Sequence, residues 1–192
     1  MGEEQFMKTQ IEEKLAQGFS CIKLKIGAID FEKELGLLRF IRQNFDAKTI
    51  EIRVDANGAF NSNEALSKLN QLNEFELHSI EQPIRANQIQ EMKLLCQQTP
   101  FPIALDEELI GVFGTENKRK LLEEIQPQYI ILKPSLVGGF KGTLEWIAIA
   151  ESLNIGWWIT SALESNIGLN AITQFTFTLN NPMPQGLGTG GL

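Results

Sequence analysis

Residues 21–27 read CIKLKIG, an apolar run with lysines at 23 and 25. Side chains alternate faces along a strand. Ile22, Leu24 and Ile26 then share one face, and Lys23 and Lys25 share the other. A face that carries two ammonium groups must either meet carboxylates or bring lysine chemistry to a site.

The same kind of unit recurs downstream. Apolar runs appear as IEIRVDANG (50–58), LHSIEQP (77–83), FPIALDEE (101–108), YIILKPS (129–135), IGWWITSA (155–162) and PQGLGTGGL (184–192). Between them lie segments of helical period. Helices are expected over 3–17, after a cap at Asp30, after Asn61 or Ser62, and around Met92. Further helices are expected over 115–125, from Gly138-Gly139 through Leu153, and over 165–177. Polar residues at the strand ends are Lys25, Asp55, Glu81, Asp106, Lys133 and Ser161. They recur about every 25–30 residues, the length of a strand, a helix and two loops.

Strands separated by helices predict a parallel sheet and an α/β fold. Eight such units close a TIM-type barrel of typically about 250 residues. Seven strands are expected here, so residues 1–192 read as one partial barrel domain holding strands two to eight, with the first strand outside it. An open doubly wound sheet is the alternative. It fits less well, because its ligand site gathers at one switch point, whereas charged residues here end successive strands.

Hydrophobic residues make up 43% of the chain, enough for a substantial core, and charged residues 21%, which argues against disorder. The net charge of −7 speaks against nucleic-acid or anionic-membrane partners. No apolar run approaches the ~20 residues of a membrane span. Cys21 and Cys96 lie far apart with no C-x-x-C pattern, which predicts reduced, buried thiols. Together these features predict a soluble cytoplasmic protein.

Asp55, Glu81 and Asp106 end three consecutive strands. Carboxylates brought together without a cation raise one another's pKa, and a hard divalent ion removes that penalty. An all-oxygen set favours Mg²⁺ or Mn²⁺ over Zn²⁺. A single strand-end acid is more often only a solvated side chain; three at matching positions favour the metal. A lysine beside another cation, partly desolvated, becomes a base near neutral pH. Lys25 is the expected base, with Lys23 pressing on it and Lys133 serving from a later strand. Asn57 and Glu107 are expected to tune the metal's surroundings. His78, the only histidine, and Trp157-Trp158 are expected to be structural, and Gly138-Gly139 has no P-loop spacing to accompany it.

This order of KLK, VDANG, IEQP, ALDEEL and LKPS resembles the barrel domain of the enolase superfamily, muconate-lactonizing-enzyme subgroup. The resemblance implies a K-x-K lysine pair, Asp55, Glu81 and Asp106 as metal ligands, and Lys133 as the second lysine. It also implies proton abstraction alpha to a carboxylate and a metal-stabilised ene-diolate. Within the subgroup, TSALESNIGLNAI (160–172) and GLGTGG (186–191) are similar to members that dehydrate a dicarboxylate. No acid stands in GLGTGG to hold a substrate ammonium group, which disfavours dipeptide epimerisation. Ser161, Ser165 and Gly188 are expected substrate contacts. The other readings are a racemase or cycloisomerase of the same subgroup, or a barrel fragment without catalysis. The resemblance further implies an N-terminal capping domain as partner in the full-length protein. Without it, the 192-residue chain is expected to be a poor catalyst.

Overall fold

The computed structural model describes residues 4–188 and divides into two compact units, residues 1–103 and 104–192. The first unit opens with helix α1 (Glu4–Ala16), then strand β1 (Cys21–Lys25), α2 (Phe31–Asn44), β2 (Glu51–Asp55), α3 (Ser62–Leu72), β3 (Ser79–Glu81) and α4 (Ile89–Gln98). Its strands run parallel in the order β1-β2-β3. Lys25 pairs in register with Asp55, and Asp55 with Glu81. One register row therefore carries all three charged strand ends.

The two faces of these strands differ as the alternation predicts. Ile22, Leu24, Ile52, Val54 and Ile80 are buried, together with Leu35, Leu38 and Ile41 of α2 and Ala65 and Leu69 of α3. Each such buried Val, Leu or Ile side chain contributes about 1.5–3 kcal/mol. The opposite face carries Cys21, Lys23 and Lys25 of β1, Glu51, Arg53 and Asp55 of β2, and Ser79 and Glu81 of β3. Helix starts are set locally. Asp30 caps α2 by accepting from Lys33 N, and Asn61 caps α3 with its N–H donating to Glu64 Oε1 at 3.4 Å.

The second unit holds β4 (Ile103–Leu105, begun one residue earlier), α5 (Thr115–Ile125), β5 (Tyr129–Leu132), α6 (Gly139–Ser152), β6 (Gly156–Ile159) and α7 (Asn166–Thr178). These strands are also parallel, in the order β4-β5-β6. Ala104, Ile131 and Trp158 form a buried cluster with Tyr129 and Met183 against it. Trp157 is buried as well, its Nε1 donating to Glu151 Oε1. The turn that leads into α6 lies so close to its first turn that a Cβ on Gly142 would stand 2.2 Å from Val137 O.

Three expectations change. The strand expected over 101–108 ends at Leu105, and Glu107–Leu109 forms a 3-10 turn. In α1, Ile11 is buried but Phe6 is exposed, so the expected apolar face is only partly used. The seventh strand reduces, among the described residues, to one bridge between Thr160 and Gly186. Pro182 and Pro184 cannot donate to a ladder, and the glycines bring no side chains to pack. Residues 189–192 of that expected strand lie outside the described residues. Among the described residues no helix is long and apolar enough to cross a membrane.

Candidate active site

In the first unit the charged strand ends form one network. Lys23 Nζ donates to Asp55 Oδ2 at 2.9 Å and to Glu81 Oε2 at 2.7 Å. Asp55 and Glu81 are almost fully buried, and about a third of the Lys23 side chain is exposed. Side chains in strands lean along the strand direction, so Lys23 reaches the carboxylates one row above its own. Lys25 Nζ donates to Asn57 Oδ1 at 2.7 Å and stands 3.7 Å from Asp55 Oδ2. Both ammonium groups thus face one carboxylate oxygen, while Asp55 Oδ1 accepts from Asn57 N at 3.0 Å.

Asn57 and Gln82, just past the ends of β2 and β3, adopt left-handed backbone at φ 43° and 37°. Such conformations in non-glycine residues are sparsely populated and store strain. Here they turn the chain sharply beside Asp55 and Glu81. Gln82 Nε2 donates to Ile84 O at 3.0 Å, tying that turn together.

Burial works to lower the Lys23 pKa, but the charges of Glu81 and Asp55 and their hydrogen bonds outweigh it and leave it raised. Lys23 is therefore a cation beside Lys25. Lower on the same face, Cys21 Sγ faces Glu51 Oε1 at 3.4 Å. Burial is the main cause that pushes its thiol up to about 12; Arg53 opposes and Glu51 assists. Cys96 is buried in α4.

In the second unit Lys133, directly after β5, pairs with the buried carboxylate of Asp106, directly after β4. Glu107 begins the 3-10 turn that follows. Ser161 is buried, its N–H donating to Gly186 O at 3.2 Å. Ser165 caps α7, its Oγ accepting from Gly168 N at 3.3 Å. Gly188 is exposed.

The structure thus brings Lys23, Lys25, Asp55, Asn57 and Glu81 together in one unit, and Asp106 and Lys133 in the other. Among the described residues no three His, Cys, Asp or Glu side chains form a group arranged to hold an ion. The donor chemistry nevertheless suits a hard divalent cation: two adjacent buried carboxylates that offer oxygen ligands, their negative charge offset here by the Lys23 ammonium group. Asp55 and Glu81 are the residues of the first unit that would hold one.

Two groups escaped the sequence reading. Glu34, four residues past a helix cap, reads as a solvated helix acid, yet it is buried and accepts from the backbone of the loop after β1. Glu164 lies inside the quoted TSALESN stretch and accepts from Ser135 Oγ and from Ala162 N. Nothing in their spacing distinguishes them from surface acids.

The chain is 59% identical over 192 residues to the o-succinylbenzoate synthase of Desulfotalea psychrophila, covering all of this chain and 52% of that protein. It is 34% identical over 159 residues to the N-succinylamino acid racemase of Thermus thermophilus, covering 82% of this chain and 40% of the relative. The crystal structure of MenC from Desulfotalea psychrophila matches with a TM-score of 0.93 and 57% identity, over 100% of this chain and 53% of the other. The chain therefore spans about half the length of the curated relatives it matches. The family model "Enolase C-terminal domain-like" matches residues 7–189, and the chain belongs to that family.

Proposed function

We propose that this chain is the barrel part of an o-succinylbenzoate synthase, which dehydrates 2-succinyl-6-hydroxy-2,4-cyclohexadiene-1-carboxylate to 2-succinylbenzoate in menaquinone biosynthesis. The observation that carries the reading is the lysine-carboxylate network of Lys23, Lys25, Asp55 and Glu81 at one row of strand ends. The 59% identity to a synthase of that name supports the substrate assignment. The reading includes a TIM-type barrel whose strands two to eight begin with β1, and an N-terminal capping domain elsewhere in the whole protein.

Lys25 Nζ takes the proton alpha to the substrate carboxylate. Lys23 remains a cation beside it. The same Lys25 proton then passes to the departing ring hydroxyl on the same face. The C–O bond breaks, water leaves, and the ring becomes aromatic. By the family pattern, Lys133 is the second lysine of the reaction and Asp106 a further metal ligand. A divalent ion such as Mg²⁺ or Mn²⁺, held by these carboxylates, would supply charge neutralisation at the substrate carboxylate. Asn57 orients Lys25 and holds Asp55 through its N–H. Ser161, Ser165 and Gly188 are the proposed contacts to the rest of the dicarboxylate, although Ser165 Oγ already serves its helix cap.

The test is an assay of the protein carrying this chain, with the cyclohexadiene dicarboxylate and Mg²⁺, following the aromatic product. Turnover abolished by EDTA and restored by Mg²⁺ is expected. A second reading, racemisation of N-acylated amino acids, draws on the Thermus thermophilus relative. Racemisation of N-succinyl amino acids without any dehydration would replace the first reading with the second.

A further inference from the structure

The loop between β1 and α2 is held by a single carboxylate. Glu34 lies in the first turn of α2 and is 3% exposed. Its Oε1 accepts from three consecutive backbone N–H groups: Gly27 at 2.7 Å, Ala28 at 3.2 Å and Ile29 at 3.4 Å. Successive N–H groups turned toward one point form a nest for an anion, and here the chain fills it with its own side chain. The other oxygen, Oε2, is buried and has no hydrogen-bond partner among the described residues. An unpaired buried oxygen costs stability. An apolar side chain would avoid that cost but could not collect the three N–H groups.

The far side of the loop is fixed as well. Gly27 has φ 86°, and a Cβ there would lie 2.4 Å from Ala59 Cβ. Ile26 N donates to Asp55 O at 2.8 Å. The loop is therefore clamped between α2 and the turn after β2. Lys25 enters this clamp from one side, two residues before Gly27. Asn57, which receives the Lys25 ammonium group, stands two residues before Ala59. Both partners of the Lys25–Asn57 contact hang on one assembly.

We propose that Glu34 is a positioning residue for Lys25: by pinning the backbone of residues 27–29 it holds the Lys25 ammonium group against Asn57 and Asp55. The role rests on Lys25 as the proton-transfer group of the proposed reaction, but its geometry is testable without that reaction. Misplacing a reacting group by about 1 Å costs about 10²-fold in rate.

The experiment compares the protein with Glu34→Leu, Glu34→Gln and Glu34→Asp. Competitive acetylation read by mass spectrometry gives the reactivity of Lys25 relative to Lys133 in the same molecule. Kinetics give kcat and KM for the dehydration. In Glu34→Leu the Lys25:Lys133 reactivity ratio is expected to change, with kcat down about 10²-fold and KM within about twofold. Glu34→Gln, which keeps an acceptor oxygen at the same reach, is expected to recover most of both. An unchanged ratio in folded Glu34→Leu would overturn the proposal, as would Glu34→Gln behaving like Glu34→Leu. If Glu34→Leu does not fold, Glu34→Asp carries the same expectation in milder form. Hydrogen exchange in the unaltered protein decides independently, because amides of residues 27–29 exchanging at open-loop rates would also overturn it. If the unaltered protein does not dehydrate the substrate, the functional reading fails, while the reactivity ratio and amide protection still decide the role of Glu34.

Discussion

Lys23 Nζ stands 2.7 Å from Glu81 Oε2, although β1 and β3 are not neighbours and the whole of β2 lies between them. On the way it passes Asp55 Oδ2 at 2.9 Å. One ammonium group thus serves two buried carboxylates on two further strands, which makes it the charge on which this end of the sheet depends.

Replacing Lys23 with Met removes the ammonium group that both carboxylates share, while Lys25 still stands 3.7 Å from Asp55 Oδ2. Buried groups that lose their partner cost about 1–3 kcal/mol; the larger values for fully buried ion pairs do not apply, because Lys23 is a third exposed. At roughly 2–4 °C per kcal/mol for a chain of this size, Tm should fall by several degrees. Millimolar Mg²⁺ should restore part of the loss in Lys23→Met and none in the double variant with Asp55→Asn. Calorimetry showing no Mg²⁺ effect on Lys23→Met would exclude Asp55 and Glu81 as an ion-binding pair. The raised Lys23 pKa also fixes a sign. Its stabilising contribution is complete below the unfolded value of 10.5 and is lost as pH rises through the higher folded value.

Lys25→Ala and Lys133→Ala should each leave the fold intact and reduce turnover by about 10²–10⁴-fold, or more where one residue serves two steps. Circular dichroism alongside the dehydration assay checks both halves of the statement. Near-normal turnover in Lys25→Ala would remove Lys25 as the base.

His78 is the single histidine, so one imidazole signal reports it. Burial, helped by Arg53 and opposed by Glu51, lowers its pKa below 6.5. The folded state favours the neutral ring, so its contribution is present above pH 6.5 and is lost as pH falls through the folded value. An NMR titration with a midpoint at or above 6.5 would contradict this. His78→Gln should flatten the fall in Tm between pH 7 and 5.

Two glycine replacements should act in opposite directions. Gly142→Ala places a methyl 2.2 Å from Val137 O, and overpacking of that kind costs about 1–3 kcal/mol. Gly36→Ala, inside α2 with no atom within 4 Å of its Cβ, should stabilise by about 0.4–1 kcal/mol. Thermal unfolding of the two variants separates them; a Gly142→Ala protein as stable as its parent would show that the turn at Val137 gives way to the methyl group.

The strand-helix rhythm was legible because each element states its own period. CIKLKIG alternates, and the structure buries Ile22 and Leu24 while leaving Lys23 and Lys25 on the other face. Helix α5 was readable at 115–125 from spacing alone. The final strand was misread: PQGLGTGGL has the apolar content of a strand, but prolines and glycines reduce its described part to the bridge at Gly186. Local pattern does not register missing N–H donors and missing side chains as strongly as it registers hydrophobicity.

The sequence by itself determined which residue types stand at the strand ends, since a charge that closes an apolar run is a local fact: Lys25, Asp55, Glu81, Asp106 and Lys133. Tertiary structure alone decided their partners. Register puts Asp55 beside Glu81, strand lean carries Lys23 up one row to both, and the turn at Asn57 returns an amide to Lys25. It also decided that Glu34 is a buried loop anchor rather than a solvated helix acid. The physical reason is range. Period and capping act over a few neighbouring residues, whereas burial and ion pairing depend on distances between strands whose spacing along the chain fixes nothing about which side chain reaches which.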